Sequence, residues 1–194
     1  MTAIAQAKDI IFEIHDNYQK QTYRNRAYIA HSNGKLLLSV PVKHAKDGSR
    51  QKMAEVAVEN EFPWQAHHWK SIQSAYRSSP FFEFYEDDLK ELFSKPVTSL
   101  LEHNVRIHEI LCDLLGLTGA TSYTRSYEKN SKHTDLRNLI NVKKEPKYPL
   151  QPYIQVLEEN HGFLPNLSVL DLLFNEGTNA LNYLESQEIF DDIL

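Results

Sequence analysis

The chain is short of the materials that make covalently or metal-clamped folds. A single cysteine, Cys112, stands among 194 residues, which excludes an internal disulfide and any site built from several thiolates. Six glycines cannot be arranged as Gly-x-Gly-x-x-Gly or Gly-x-x-x-x-Gly-Lys. This argues against a P-loop NTPase and against a dinucleotide fold of the usual fingerprint. Long apolar runs are missing: Leu36-Leu37-Leu38 and Val169 to Phe174 fall far short of the roughly 20 residues that cross a bilayer. Positive surplus is missing too. Twenty-one Lys+Arg against 26 Asp+Glu leave a net charge of −5, the wrong sign for a general binder of nucleic acid or anionic membrane. The opening Met1-Thr2-Ala3-Ile4-Ala5 has neither the basic nor the continuous apolar region of a secretory leader, so a cytoplasmic location is expected.

What is present suits one ordinary globular domain. At 41% hydrophobic, a chain of this length hides roughly 70% of its extended surface on folding, enough for a core without staples. The N-terminal third reads as strands. Ile10 to Ile14 is a short β-branched and aromatic run, and Ala27 to His31 and Leu36 to Val40 flank Asn33-Gly34. That pair predicts a hairpin with a type I′ turn. Val56-Ala57-Val58 predicts a further strand.

The middle and the C-terminus read as helices. The spacing of Trp64, Trp69, Ile72, Ala75 and Tyr76 predicts one helix ending at Ser78-Ser79-Pro80, and Phe81 to Phe93 predicts a second. A third follows Thr98, where Ser99 and Glu102 form a capping box, Leu101, Val105, His108, Cys112 and Leu115 trace a stripe, and Gly116 supplies the stop. Ser168 and Asp171 repeat the capping pattern before Leu172-Leu173-Phe174, Gly177 ends that helix, and Thr178 is placed to cap the last one. The predicted fold is a single α/β domain over residues 1–194, with a mixed β-sheet that includes a β-hairpin and four or five flanking helices. Residues 119–152, polar and Lys-rich with Pro146, Pro149 and Pro152, form a long surface excursion within it. In a compact domain such a segment is either functional or mobile.

The most unusual tract runs from Asp16 to Arg26: amides, cations and two tyrosines with no aliphatic residue, between two predicted strands. Arg24 and Arg26 offer planar forks for a phosphate or carboxylate, with Lys20 as a point charge. Asn17, Gln19, Gln21 and Asn25 supply donors and acceptors suited to a hydroxyl-rich ligand such as a sugar. The competing reading is a solvated basic loop whose arginines pair with surface acids. His67-His68 lie in the Trp64 helix, where an imidazole can serve as general acid or base, although a structural histidine is the plainer role. Nine histidines include no His-x-x-x-His pair and no His-Glu-x-x-His, so no metal site is expected. Ser71 has no nucleophile elbow around it. Asp171 is taken as a capping-box residue. No cofactor is indicated.

Taken in order, these segments resemble the WbqC-like family. The resemblance is carried by Asp16 to Arg26, by Asn33 to Lys43, and by Trp64, His68, Ile72, Ala75, Tyr76, Pro80, Phe82 and Tyr85 to Asp88. It continues in Gly162 to Ser168 and Asp171 to Gly177, and looks most like the compact branch found in relatives of Bacteroides. The family's opening strand and Pro-containing turn find no counterpart before Met1, and Met1 to Asp9 looks like the end of its first helix; an N-terminally shortened domain is therefore expected. The resemblance implies an enzyme of surface-polysaccharide or O-antigen biosynthesis acting on a sugar or nucleotide-sugar by group transfer. The alternative it leaves open is a non-catalytic binding or assembly partner, for which the aromatic Phe81 to Phe93 helix would be the surface. By position, the resemblance adds Lys43 and Tyr76 to Arg24-Asn25-Arg26 and His68 as candidate contacts, with His68 and Tyr76 as the reacting groups.

Overall fold

The computed structural model describes residues 1–45, 47–142 and 148–189. A short helical turn, α1 (Thr2–Ala5), leads into β1 (Asp9–Phe12). The polar tract follows, and then the hairpin of β2 (Arg26–His31) and β3 (Gly34–Ser39). Three long helices come next: α2 (Trp64–Tyr76), α3 (Phe82–Ser94) and α4 (Leu100–Leu115). Beyond β4 (Ala120–Tyr123) lie a short α5 (Glu158–His161), α6 (Val169–Glu176) and α7 (Ala180–Ser186). Among the described residues, five helices reach seven residues or more, and the domain is α/β.

Strand pairing is of both kinds. β1 pairs in parallel with β4, Asp9 opposite Ala120, and everything from β2 to α4 forms the crossover that a parallel pair requires. β2 and β3 pair antiparallel, from Arg26 opposite Ser39 to His31 opposite Gly34. Among the described residues these are two two-stranded ladders. The hairpin is where it was expected, but its turn differs. Of the Asn-Gly pair only Gly34 takes positive φ, 112°, so the turn is not type I′. It has the form in which a glycine of positive φ follows the turn. Val56 to Val58 is not a strand either: Val58 bridges Val42 and Ala57 bridges Ser99, each singly. Two single bridges to two different segments do not make a ladder.

The core has two lobes because the helices present two faces. Tyr76 from α2, Phe82 and Leu89 from α3, and Leu173 and Phe174 from α6 pack with Ile29 and Ala30 of β2. Burial of each large side chain contributes about 2 kcal/mol or more. The smaller lobe gathers Val40, Met53, Val56, Val58, Trp64 and Leu100. α4 serves both lobes, its start with Leu100 and its end with Ile110, Leu111 and Leu115. That is why its buried positions spread beyond the single stripe read from spacing. Its caps are as expected: Ser99 Oγ accepts from the Glu102 N–H, and Gly116 ends it at φ 72°. Ser168 caps α6 by accepting from Leu170 N–H. Asn179, in place of Thr178, precedes α7, and makes no side-chain cap.

Asp171 departs furthest from its expected role. Its side chain has no exposed surface and accepts from the Tyr153 hydroxyl at 2.6 Å and from Gln155 Nε2 at 2.9 Å. It is the centre of a buried polar network, and burial raises its pKa above the usual carboxylate range.

Candidate functional site

The tract between β1 and β2 is held by its main chain against two other segments. Tyr18 N–H donates to Gln51 O and Met53 N–H to Asp16 O, both at 2.9 Å, and Tyr23 N–H donates to Ile140 O at 2.9 Å. Thr22 turns the chain by donating its hydroxyl to Gln19 O at 2.8 Å, and Gln21 takes φ 61°. Asn25 is buried and fastens the tract to the end of β3, its Nδ2 donating to Val40 O while Val40 N–H donates to Asn25 O, both at 2.8 Å. Asn104 of α4 fastens it again, donating to Arg24 O at 2.7 Å. A loop so tied presents its side chains in fixed places.

Arg24 is the anchor. Its side chain is only 9% exposed and is ion-paired to Asp16. Burial pulls its pKa below the ordinary guanidinium value, with Asp16 opposing the shift; a guanidinium in such a pair stays charged. Nη1 of Arg24 and Nε of Arg26 are buried and have no hydrogen-bond partner among the described residues. Above Arg24 opens a cleft of about 210 Å³, with Asp16 and Gln19 on the tract's side. Its other wall is the excursion, which contributes Tyr127, Asp135, Arg137, Asn138 and Asn141.

Arg137 organises that wall. Its Nε donates to Asp135 Oδ1 at 2.8 Å, while Nη1 and Nη2 donate to the carbonyls of Glu128 and Lys129 at 2.9 and 3.1 Å. The guanidinium also lies 5.5 Å from the Tyr127 ring centroid, within cation–π range. Sequence reading had not singled out these residues. The available signal was an arginine and an aspartate two positions apart beside a tyrosine, inside a segment already marked as too long to be an idle connection.

The histidines form a different layer. Trp64 stands between them, its ring centroid 5.2 Å from His68 and 5.5 Å from His103. Burial lowers the His68 pKa, against a hydrogen bond with the Ser39 main chain. Burial, together with the nearby His68, pushes His103 down to about 4. Both rings are therefore neutral at pH 7. His68 reaches the polar tract through the strands, since Ser39 is paired with Arg26, but it does not line the cleft.

The remaining expected site residues fall into three groups. Gln19 and Lys20 are exposed on the tract, and Asn17 is half-buried, its main chain bridged to Lys52. Lys43 is exposed beyond β3, its N–H bonded to Ala57 O, and is not part of the cleft lining. Tyr76 has no exposed surface. Its hydroxyl accepts from Ala30 N–H at 2.9 Å, so it is committed inside the core. The structure thus brings Gln19 and Arg24 together with the excursion, and places Lys43 and Tyr76 elsewhere. Among the described residues no cluster of His, Cys, Asp and Glu is arranged to hold a metal, and no helix is long and apolar enough to cross a membrane.

No solved structure matches the chain. A Mycobacterium tuberculosis protein, described as "Uncharacterized protein Rv1507c", is 28% identical over an alignment covering 89% of this chain and 87% of its own. Residues 1–148 match the WbqC-like protein family, a span that takes in β1, the tract, the hairpin, the three long helices and most of the excursion. The chain belongs to the WbqC-like protein family.

Proposed function

We propose that this protein is a cytoplasmic enzyme of surface-polysaccharide biosynthesis that acts on a sugar or nucleotide-sugar by group transfer, and that the cleft over Arg24 holds the ligand. One observation carries the reading. Two arginines far apart in the chain, Arg24 and Arg137, are brought to one cleft, each set by a carboxylate, with amides between them. Such a lining can both donate to and accept from hydroxyl and phosphoryl groups. Arg26 and Lys20 extend the cationic character along the tract. Tyr76 and Asn25 are given structural roles. His68 is the acid/base candidate, and a ligand that uses it must extend from the cleft past Arg26 to Ser39.

A second reading, a binding or assembly partner without catalysis, is favoured by one observation: among the described residues no imidazole, serine or thiol lines the cleft. The test is calorimetric titration of a panel of nucleotide-sugars into the wild type and into Arg24→Lys and His68→Asn. Binding that weakens in Arg24→Lys supports the ligand site; turnover lost in His68→Asn with binding retained supports the enzyme. Failure of every nucleotide-sugar to bind, or unchanged affinity in Arg24→Lys, overturns the proposal. Binding with no turnover by the wild type leaves the second reading.

A further inference from the structure

The charges that line the cleft cancel. Asp16 faces Arg24 and Asp135 faces Arg137, each as an ion pair, and among the described residues the lining includes no lysine and no third arginine. A diphosphate carries concentrated negative charge and is held best by cations that are not already neutralised. A sugar ring has the opposite need, because every hydroxyl is at once a donor and an acceptor. Carboxylates accept from it, guanidiniums donate to it, and amides do both.

The side chains of Gln19, Asn138 and Asn141 line the cleft and make no hydrogen bond among the described residues, so their donors and acceptors are unspent. Tyr127 is 48% exposed and offers an apolar wall for the C–H face of a ring. The volume, about 210 Å³, is below the roughly 300–1,000 Å³ of sites that enclose drug-sized ligands. A single sugar ring fills a space of that size.

We infer that the cleft between the polar tract and the excursion is a subsite for a single uncharged sugar ring, and that any phosphate or nucleotide the ligand carries lies outside it. This rests on the reading of the cleft as the ligand site and names what that site recognises.

The test uses the full chain and a panel of methyl glycosides of hexoses, N-acetylhexosamines and deoxyhexoses, with nucleoside diphosphates as a parallel set, followed by ligand-observed NMR. A methyl glycoside should bind with an affinity that hardly changes between low and high salt, because screening acts on charges and not on a neutral ring. Gln19→Ala and Asn138→Ala, which break no bond inside the protein, should each weaken it about tenfold, the cost of one lost hydrogen bond. Two results overturn the inference. Binding of nucleoside diphosphate alone, weakened by salt and by Asn138→Ala, makes the cleft a phosphate site and leaves the proposed function standing. No binding of glycosides, diphosphates or nucleotide-sugars removes both. Melting temperatures of the two variants equal to the wild type confirm that a loss is local.

Discussion

The hydroxyl of Tyr153 lies 2.6 Å from Asp171 Oδ2 in the protein interior. Gln155 completes the network: Nε2 also reaches Asp171 at 2.9 Å, while its Oδ-equivalent carbonyl, Oε1, accepts from Leu164 N–H at 2.8 Å. The loop before α6 is thereby tied to α6 by polar bonds in an otherwise apolar lobe. Oδ1 of the same Asp171 carboxylate is buried with no hydrogen-bond partner among the described residues, a cost that falls on the charged form.

Burial raises the Asp171 pKa in the folded state, so the fold prefers the protonated acid relative to the unfolded chain. The stability this contributes is complete below the unfolded carboxyl value and is lost as pH rises through the raised one. Asp171→Asn, which keeps a neutral side chain of the same shape, should remove that part of the pH dependence. Urea unfolding of both proteins between pH 4 and 8 measures it; parallel curves would refute the assignment. Asp171→Ala should cost about 3 kcal/mol, since it strands the Tyr153 hydroxyl and the Gln155 amide.

His103 acts in the opposite direction. Its pKa falls to about 4 in the fold, from an unfolded value near 6.5. Its contribution is present above about 6.5 and is lost as pH falls toward 4, a difference on the order of 3 kcal/mol. His103→Gln should flatten the acid limb of the stability curve. NMR titration of the His103 ring protons gives the pKa directly, and a midpoint near 6.5 would dismiss the effect.

Two glycines of positive φ separate strain from collision. Gly116 has φ 72° with open space where a Cβ would go, whereas a Cβ on Gly177, φ 56°, would sit 2.6 Å from the Phe81 ring. Gly116→Ala should cost about 1 kcal/mol, the strain of the left-handed conformation. Gly177→Ala should cost at least about 3 kcal/mol, because Phe81 must also move out of its packing. Chemical denaturation of the pair checks the order.

The Arg24–Asp16 pair is partly shielded, at 9% and 20% side-chain exposure. Arg24→Ala should destabilise by about 2 kcal/mol, less than a wholly buried pair because Asp16 keeps some water. Asp16→Asn should cost less than that. A double-mutant cycle gives the coupling between them, and additive effects would show that the pair contributes nothing of its own.

Much of the architecture was legible because it depends on local chemistry. The apolar spacing of α2, α3 and α4, the Ser99 cap and the Gly116 stop are properties of a few consecutive residues, and they act wherever the helix is placed. The hairpin was legible for the same reason, though its turn was not, since Asn33 keeps negative φ. The strand read at Val56 to Val58 failed because its apolar residues answer to burial in the smaller lobe, and their partners, Val42 and Ser99, meet them as single bridges that never extend into a ladder.

The candidate site divides in the same way. By itself the chain determined that Asp16 to Arg26 is a polar tract between strands, rich in guanidinium and amide groups, because composition needs no fold to be seen. Only the tertiary structure decided that Arg24 faces Arg137 across a cleft, that His68 joins Ser39 behind it, and that Tyr76 and Asp171 are spent inside the core. Those relations depend on which distant segments are packed together, and packing is set by the burial of the whole apolar surface at once, which no short stretch of residues encodes.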